Sequence, residues 1–455
     1  MYFGTDGIRG KAGEPPMTPE FFHRLGQAAC LSFGTKAPFC ISRDTRASGP
    51  MLEAAFVQGF RNEGGTPISL GVLPTAAVAT EVLRRQASGG AMLSASHNPP
   101  QDNGIKFFDA TGRKLTDSGE EQLEARLPDF APTGNVDSAL PETSGGWHAH
   151  PEAKTSFFQT LRATLPDDCS FESFECVVDA ANGAAWETTP EFLESLGARV
   201  HRMNCQPDGT NINADSGSQH PQKAAEKVRE IAGSKTGKQV IGLCHDGDAD
   251  RLVVIDEQGS ILDGDELLAL LGAAGIKDGS LPGGKVVATR MSNLGLDECL
   301  RARGGTVIRS AVGDRYVSEA MKEHGAALGG EQSGHMIFRH LMPTGDGLLT
   351  ALQLLNYCRQ QDQPLSTLKR ILHKYPQKLI NLPVPEKRPL EELPAFSAAL
   401  RHAEVELGTE GRVFFRYSGT EKKARLLIES RDLAILDSLA AELAGILQSE
   451  LAAHK

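Results

Sequence analysis

Short apolar runs alternate with helical periods through the first 130 residues. Thr18-Pro19 predicts a helix start, an N-cap followed by proline at the first helical position. Phe21, Phe22, Leu25, Ala29 and Phe33 then fall on one face. A strand is predicted at 38–44, a helix near 49–62 closed by Gly64-Gly65, a strand at 67–71, a helix from Pro74 and a strand at 89–95. This βαβα rhythm predicts a mainly parallel sheet, with ligands gathering beyond the carboxyl ends of the strands.

Residues 128–151 are rich in Pro, Gly, Ser and Thr and read as a linker or surface excursion. The rhythm restarts at ECVVDAANG (175–183) and continues through a strand, acidic loop, strand and turn at 239–259. It restarts again at GKVVATRMSN (284–293). ISRDTR, VVDAANG and VATRMSN each place polar residues just past an apolar strand, resembling a repeated α/β unit at a spacing of roughly 100 residues. Near Tyr375-Pro376 the pattern changes to a proline-rich charged stretch, a helix, two strands (RVFFRYS and ARLLIES) and a long amphipathic helix from 432. The expected division is therefore three α/β units, 1–150, 151–256 and 257–373, and an α+β tail, 374–455.

Composition narrows the function classes. Hydrophobic residues are 40% and charged residues 23% of the 455, as in a soluble globular protein. A formal net charge of −11 argues against a nucleic-acid binder and against docking on anionic membrane, but allows an anionic small substrate in a locally positive cleft. The eight cysteines have no C-x-x-C spacing, so neither a zinc site nor a redox dithiol is signalled, and reduced cysteines in the cytoplasm are expected. No apolar run approaches the length of a membrane span or forms a signal sequence at the N-terminus.

Four segments could carry chemistry. In HDGDADR (245–251), Asp246, Asp248 and Asp250 are spaced so that their carboxylates can converge on one divalent cation; hard oxygen ligands fit magnesium. A solvated acidic turn is the plain alternative. An EF-hand loop is another, with Glu257 at its twelfth position, but Arg251 stands where that loop needs Gly, and LVVID reads as a strand. In SASHNPPQDNGIKFF (94–108), a strand delivers Ser94-Ala95-Ser96 into a turn fixed by Asn98-Pro99 and Asn103-Gly104. A hydroxyl there can be a nucleophile if something takes its proton, and His97 and Lys106 are nearby; an ordinary turn is the alternative. GGEQSGH (329–335) places Glu331, Ser333 and His335 alternately after a strand, on one side if the segment is extended, which suits sugar hydroxyls. RYSGTEKKAR (416–425) combines Arg416, Ser418, Gly419, Thr420 and Arg425 around a tight turn, either a phosphate cradle or a basic hairpin. No Walker loop, dinucleotide fingerprint, zincin motif or G-x-S-x-G elbow is present.

These segments, in this order, resemble the α-D-phosphohexomutase family over essentially the whole chain. The match runs from FGTDGIRG (3–10) through RDTR (43–46), SASHNP, NGIKFF, DGDADR, MSNLGL, VGDRYV (312–317), GGEQSGH, TGDGLL and RYSGTE. The wording of FGTDGIRG, MSNLGL and GEQSGH is closest to the bacterial branch that acts on glucosamine phosphate; mannose or glucose phosphate is the alternative substrate. More distant alternatives are a Mg²⁺-dependent sugar phosphatase and a non-catalytic sugar-phosphate binding protein. The resemblance implies three α/β domains with mixed, mainly parallel sheets and a C-terminal α+β domain around a central cleft. It implies phosphorylation of Ser96, with Mg²⁺ held by Asp246, Asp248, Asp250 and a phosphoserine oxygen. It implies that Glu331 and Ser333 grip sugar hydroxyls, and that Arg416, Ser418, Gly419, Thr420 and Arg425 bind the non-reacting phosphate. Arg9, His97, Lys106, Arg251 and His335 would flank the transfer. Glucosamine 6-phosphate and 1-phosphate would interconvert through a 1,6-bisphosphate, toward UDP-N-acetylglucosamine and the cell wall; the resemblance allows a homodimer. Two departures stand out: Lys422 replaces the usual proline of Gly-Thr-Glu-Pro, and NINADSGSQHP (211–221) lacks the branch's cysteine before Gly-Ser.

Overall fold

The structure, a computed structural model, describes residues 2–4, 6–127, 150–234, 237–417 and 422–452. Most of the expected linker therefore lies outside the described residues, as do Ser418, Gly419 and Thr420. The helix Pro19–Phe33 begins as its sequence dictates, with the Thr18 hydroxyl accepting from the Phe21 N–H. It packs against the helix Gly49–Asn62 at a crossing that two glycines make possible. A Cβ on Gly26 would lie 2.1 Å from the Phe56 carbonyl oxygen, and one on Gly59 would lie 1.9 Å from that of His23.

The first sheet holds β1 (Ile8–Lys11), β2 (Phe39–Arg43), β3 (Pro67–Val72), β4 (Gly89–Leu93) and β5 (Asp102–Asp109), in the order β1-β5-β4-β2-β3. The second holds β6 (Phe174–Asp179), β7 (Arg199–Met203), β8 (Gln239–His245), β9 (Leu252–Ile255) and β10 (Ile261–Leu262), in the order β10-β9-β8-β6-β7. The third holds β11 (Lys285–Thr289), β12 (Thr306–Ser310), β13 (Leu328–Gly330) and β14 (Met336–Phe338), in the order β12-β11-β13-β14.

One scheme runs through all three. A first strand pairs in parallel with its two successors, one on each side; the second successor then turns back into an antiparallel fourth strand. The sheets are thus mixed, and the repeated unit expected from the polar strand ends is present in the topology. β10 extends the second sheet to Leu262.

The fourth sheet is antiparallel, β15 (Gln377–Pro383), β16 (Gly411–Tyr417) and β17 (Lys423–Ser430) in the order β15-β17-β16. It shares a core with the helices Pro394–Leu407 and Leu433–Ala452. That core is separate, whereas the first three units share a continuous one reaching from Cys40 and Leu70 through Phe174 and Leu243 to Leu268 and Leu352. All eight cysteines are unpaired and only Cys205 is not fully buried. No helix among the described residues is long and apolar enough to cross a membrane.

Candidate active site

The three-fold scheme explains where the chemistry sits. The serine loop follows β4 and leads into β5. The aspartate loop follows β8 and leads into β9. The GEQSG turn follows β13 and leads into β14. All three are the same loop of the repeated unit, and they meet at one cleft. Asp6, Arg9, His97, Lys114, Asp250, Arg251, Asp314, Glu331, Ser333, His335, Arg416 and Arg425 line a cavity of about 710 Å³ there, so all four units contribute.

Ser96 is buried and has φ +51°, a left-handed conformation that a non-glycine residue adopts only when its surroundings hold it there. Its hydroxyl donates to Asp246 Oδ2 at 2.6 Å and lies 3.4 Å from His97 Nδ1. Its N–H donates to the Ser94 hydroxyl at 2.8 Å, which in turn donates to Asp44 Oδ2 at 2.6 Å. Ser94 thus serves as a support for the turn. Burial and the charges of Arg251 and Arg9 push the His97 imidazole down to about 4, so it is neutral.

Carboxylate oxygens of Asp246, Asp248 and Asp250 lie within 4.8 Å of one another, all buried. Asp248 Oδ1 and Asp250 Oδ1 have no hydrogen-bond partner. Buried oxygens left unsatisfied beside like charges are what a divalent cation would relieve, so this donor set fits one. Burial and the charges of Asp250 and Asp248 push Asp246 up to about 7. The loop leads into β9, a strand, and Glu257 binds the Ser366 hydroxyl, so the EF-hand alternative fails. Lys106 meets both Asp248 and, at 3.0 Å, Asp250. Burial opposes its charge, but Asp248, Asp250 and Asp6 outweigh it and hold the ammonium well above its ordinary value. Lys106 thus sits as a cation between two of the three carboxylates.

The GEQSG segment is not extended. The Gly334 N–H donates to the Glu331 carbonyl at 3.0 Å, closing a turn that Gly334 enters at φ +90°, with the Leu252 carbonyl where a Cβ would be. The turn, not strand alternation, brings Glu331, Ser333 and His335 to the cleft. Glu331 accepts from the Gly313 N–H at 3.0 Å, and burial together with Asp314 raises its carboxyl. His335 lies 3.6 Å from both Asp250 and Asp314; burial opposes its proton, but these two carboxylates outweigh it.

On the other wall, Arg416 and Arg425 face each other across β16 and β17. Burial and the charge of Arg425 lower the Arg416 guanidinium, and its Nε has no hydrogen-bond partner. Two opposed arginines cost free energy until an anion lies between them, which fits a phosphate. The carbonyl of Lys422 accepts from the Val384 N–H at 2.9 Å, so the residue at the proline position is tied to the chain just past β15.

Comparison with known proteins bears on this geometry directly. Profiles described as phosphoglucomutase/phosphomannomutase alpha/beta/alpha domains I, II and III match residues 1–130, 157–259 and 263–375, and the C-terminal domain profile matches 379–446. The chain belongs to the phosphoglucomutase/phosphomannomutase family. A phosphoglucosamine mutase of Desulfovibrio desulfuricans is 44% identical over 454 residues, 99% of each chain. A family member from Burkholderia thailandensis shares the fold at a TM-score of 0.78 and 22% identity, covering 99% of this chain and 97% of its own. An N-acetylphosphoglucosamine mutase of Aspergillus fumigatus, in complex with GlcNAc-6P and magnesium, matches at a TM-score of 0.63 and 18% identity, covering 99% and 96%. This family member is an enzyme, a phosphosugar mutase.

Several residues of this mutase's cleft escaped sequence reasoning. Lys114 pairs with Asp6 at 2.6 Å and with Asp314; Asp6 also pairs with Arg9. Asp6 and Asp314 were within reach, lying in the motifs FGTDGIRG and VGDRYV, but Lys114 stands in no motif. Beside this chain of charges the polarity reverses: Arg315 of the third unit pairs with Asp117 and, at 2.7 Å, with Glu120 of the first. Two adjacent residues thus latch the third unit to the first with opposite signs. Lys114→Met is expected to lower folding stability by about 1–2 kcal/mol, because it removes the cation shared by two half-buried carboxylates while Asp6 keeps Arg9 and Asp314 keeps His335. Turnover should fall at least ~10-fold through displacement of Arg9 and His335. Denaturant unfolding and steady-state kinetics check both, and Lys114→Arg should recover part of each.

Proposed function

We propose that the chain interconverts glucosamine 6-phosphate and glucosamine 1-phosphate, with Ser96 carrying the phosphate between half-reactions. The observation that carries this reading is the placement of the Ser96 hydroxyl on Asp246, at a cleft whose far wall presents Arg416 and Arg425. One end of the site handles the reacting phosphate and the other holds the second phosphate. The sugar is inferred from the 44% identical relative and the wording of the motifs.

In the proposed cycle the bond from phosphorus to Ser96 Oγ breaks as a bond to O1 of glucosamine 6-phosphate forms. The 1,6-bisphosphate then returns its 6-phosphate to Ser96 and leaves as the 1-phosphate. Arg9, Lys106 and Arg251 offset the oxygen charge that develops, in a buried setting where such charges act strongly. His97, with Nδ1 3.4 Å from Ser96 Oγ, is placed to accept the proton released by the sugar hydroxyl. His335, 3.6 Å from Asp250, flanks the transfer, and Glu331 and Ser333 hold sugar hydroxyls. Arg416, Arg425, Ser418, Gly419 and Thr420 hold the non-reacting phosphate. Asp246, Asp248 and Asp250, joined by a phosphoserine oxygen, would hold Mg²⁺, which neutralises phosphate charge. We divide the chain into 1–150, 151–262, 263–373 and 374–455 for these roles, and propose a cytoplasmic enzyme of free sugar phosphates.

The test is kinetic. With matching bisphosphates as primers, kcat/KM for glucosamine phosphate is expected to exceed that for glucose or mannose phosphate by at least about 10-fold. Equal values would overturn the sugar assignment. Phosphate release without isomerised product would overturn the mutase cycle in favour of a phosphatase.

A further inference from the structure

We propose that Asn213, in the second unit, is a positioning residue for Ser96: its amide holds the strained turn that aims the nucleophile at the aspartate loop. This rests on Ser96 as the phosphate carrier.

Left-handed backbone at a serine costs roughly 1–2 kcal/mol, so something must hold it. Two side chains from different units do. Arg46 Nη2 donates to the Ser96 carbonyl at 3.0 Å and to that of Asn98 at 2.8 Å. Asn213 Nδ2 donates to the same two carbonyls, at 2.8 and 2.9 Å. Arg46 belongs to the serine's own unit and is locked there by Asp44, 2.9 Å away. It also binds the carbonyls of Pro99 and Asp102. Arg46 therefore shapes the loop but cannot register it against the second unit. Asn213 can.

Its own anchoring is firm. Asn213 has φ +58°, where asparagine is tolerated, and its N–H donates to the Ala181 carbonyl at 2.9 Å. Ala181 and Asn182, just past β6, are left-handed too. The seam continues on both sides: Thr45 donates to the Asn182 carbonyl, and the Ala47 N–H donates to that of Gly209 at 2.9 Å. The aspartate loop closes on the same atoms. A Cβ on Gly247, between Asp246 and Asp248, would lie 2.5 Å from the Ser96 carbonyl oxygen and 3.0 Å from Asn213 Nδ2. Serine turn, asparagine and aspartate loop are thus packed without space between them, and loss of the amide frees the serine turn to shift relative to the three carboxylates.

A shift of about 1 Å in a transfer site costs on the order of 100-fold in rate. Asn213→Gly keeps the left-handed backbone and removes both hydrogen bonds. It is expected to lower kcat about 10- to 100-fold with KM within about twofold of wild type. Single-turnover transfer from phosphorylated enzyme to glucosamine 1-phosphate should slow by the same factor. Asn213→Ser, which also lacks the reach, repeats the measurement should the glycine variant not fold. A kcat within twofold of wild type, or a raised KM at unchanged kcat, would overturn the proposal. Ser96→Ala is run alongside. If that variant stays active, the phosphoserine reading itself falls; if it is inactive while Asn213→Gly is fully active, only the role of Asn213 falls.

Discussion

Ser96→Ala is expected to lose mutase turnover by about 10⁴-fold or more while still binding glucosamine 6-phosphate with near wild-type affinity. The two halves of this result have separate causes. Removing Oγ removes the atom proposed to carry phosphorus between half-reactions, and the other hydroxyl of the loop cannot replace it. Ser94 Oγ is engaged as acceptor from the Ser96 N–H and donor to Asp44, 50 residues earlier in the chain. In the proposed cycle binding rests on atoms elsewhere: Arg416 and Arg425 on the fourth sheet and Glu331 on its turn, all lining the cleft. The structural cost is small, since the side chain lost is one hydroxyl and Asp246 keeps the Arg251 N–H on its other oxygen at 3.2 Å. A coupled mutase assay and calorimetric titration check the two halves. Turnover near wild type would remove Ser96 from the mechanism, and loss of binding would place the sugar closer to Oγ than proposed.

The contrast between Ser96 and Lys114 shows what kind of information the sequence held. Ser96 sits in a dense local pattern: strand, turn-forming Asn-Pro, then Asn-Gly. The aspartate triad is likewise local, three carboxylates within five residues. The turn at 331–335 was placed in the site for an incomplete reason, because strand alternation was assumed where Gly334 forces a turn. The run NGIKFF, which the sequence motif joins to the serine loop, is the returning strand β5. β15 was hidden by the prolines at its end, and at a sheet edge Pro383 is tolerated. What no local pattern holds is partnership across the chain. Lys114 bridges Asp6 and Asp314, and Asn213 reaches back to Ser96 and Asn98; these pairs exist only once three units close on one cleft. The repeat predicted from polar strand ends was the correct signal. Its fuller meaning, that three functional loops occupy one topological position, needed the order of the strands.

Asp248→Asn tests the other half of the site. Asp248 accepts from the Thr75 hydroxyl at 2.8 Å and pairs with Lys106 through Oδ2, while Oδ1 has no partner. The free oxygen is the feature to remove. An amide there keeps the volume and one acceptor, so Thr75 remains bound, and Lys106 retains Asp250 at 3.0 Å. Folding stability should therefore change by no more than about 2 kcal/mol, less than for a variant that strands a buried charge. Divalent cation affinity should respond far more. Loss of an outer-shell partner of a metal ligand costs about 10–100-fold, and loss of a ligand's own charge is expected to cost at least as much. Magnesium titration of activity in Asp248→Asn should thus show a midpoint raised about 100-fold, and chelation of the wild-type enzyme should reduce turnover to a similar residual level. Direct calorimetric titration of Mg²⁺ separates weakened binding from impaired transfer. An unchanged midpoint in both measurements would mean that the unsatisfied oxygen of Asp248 faces something other than the cation. Asp248 and Asp250 would then serve to hold Lys106 in place, leaving Asp246 to the Ser96 hydroxyl.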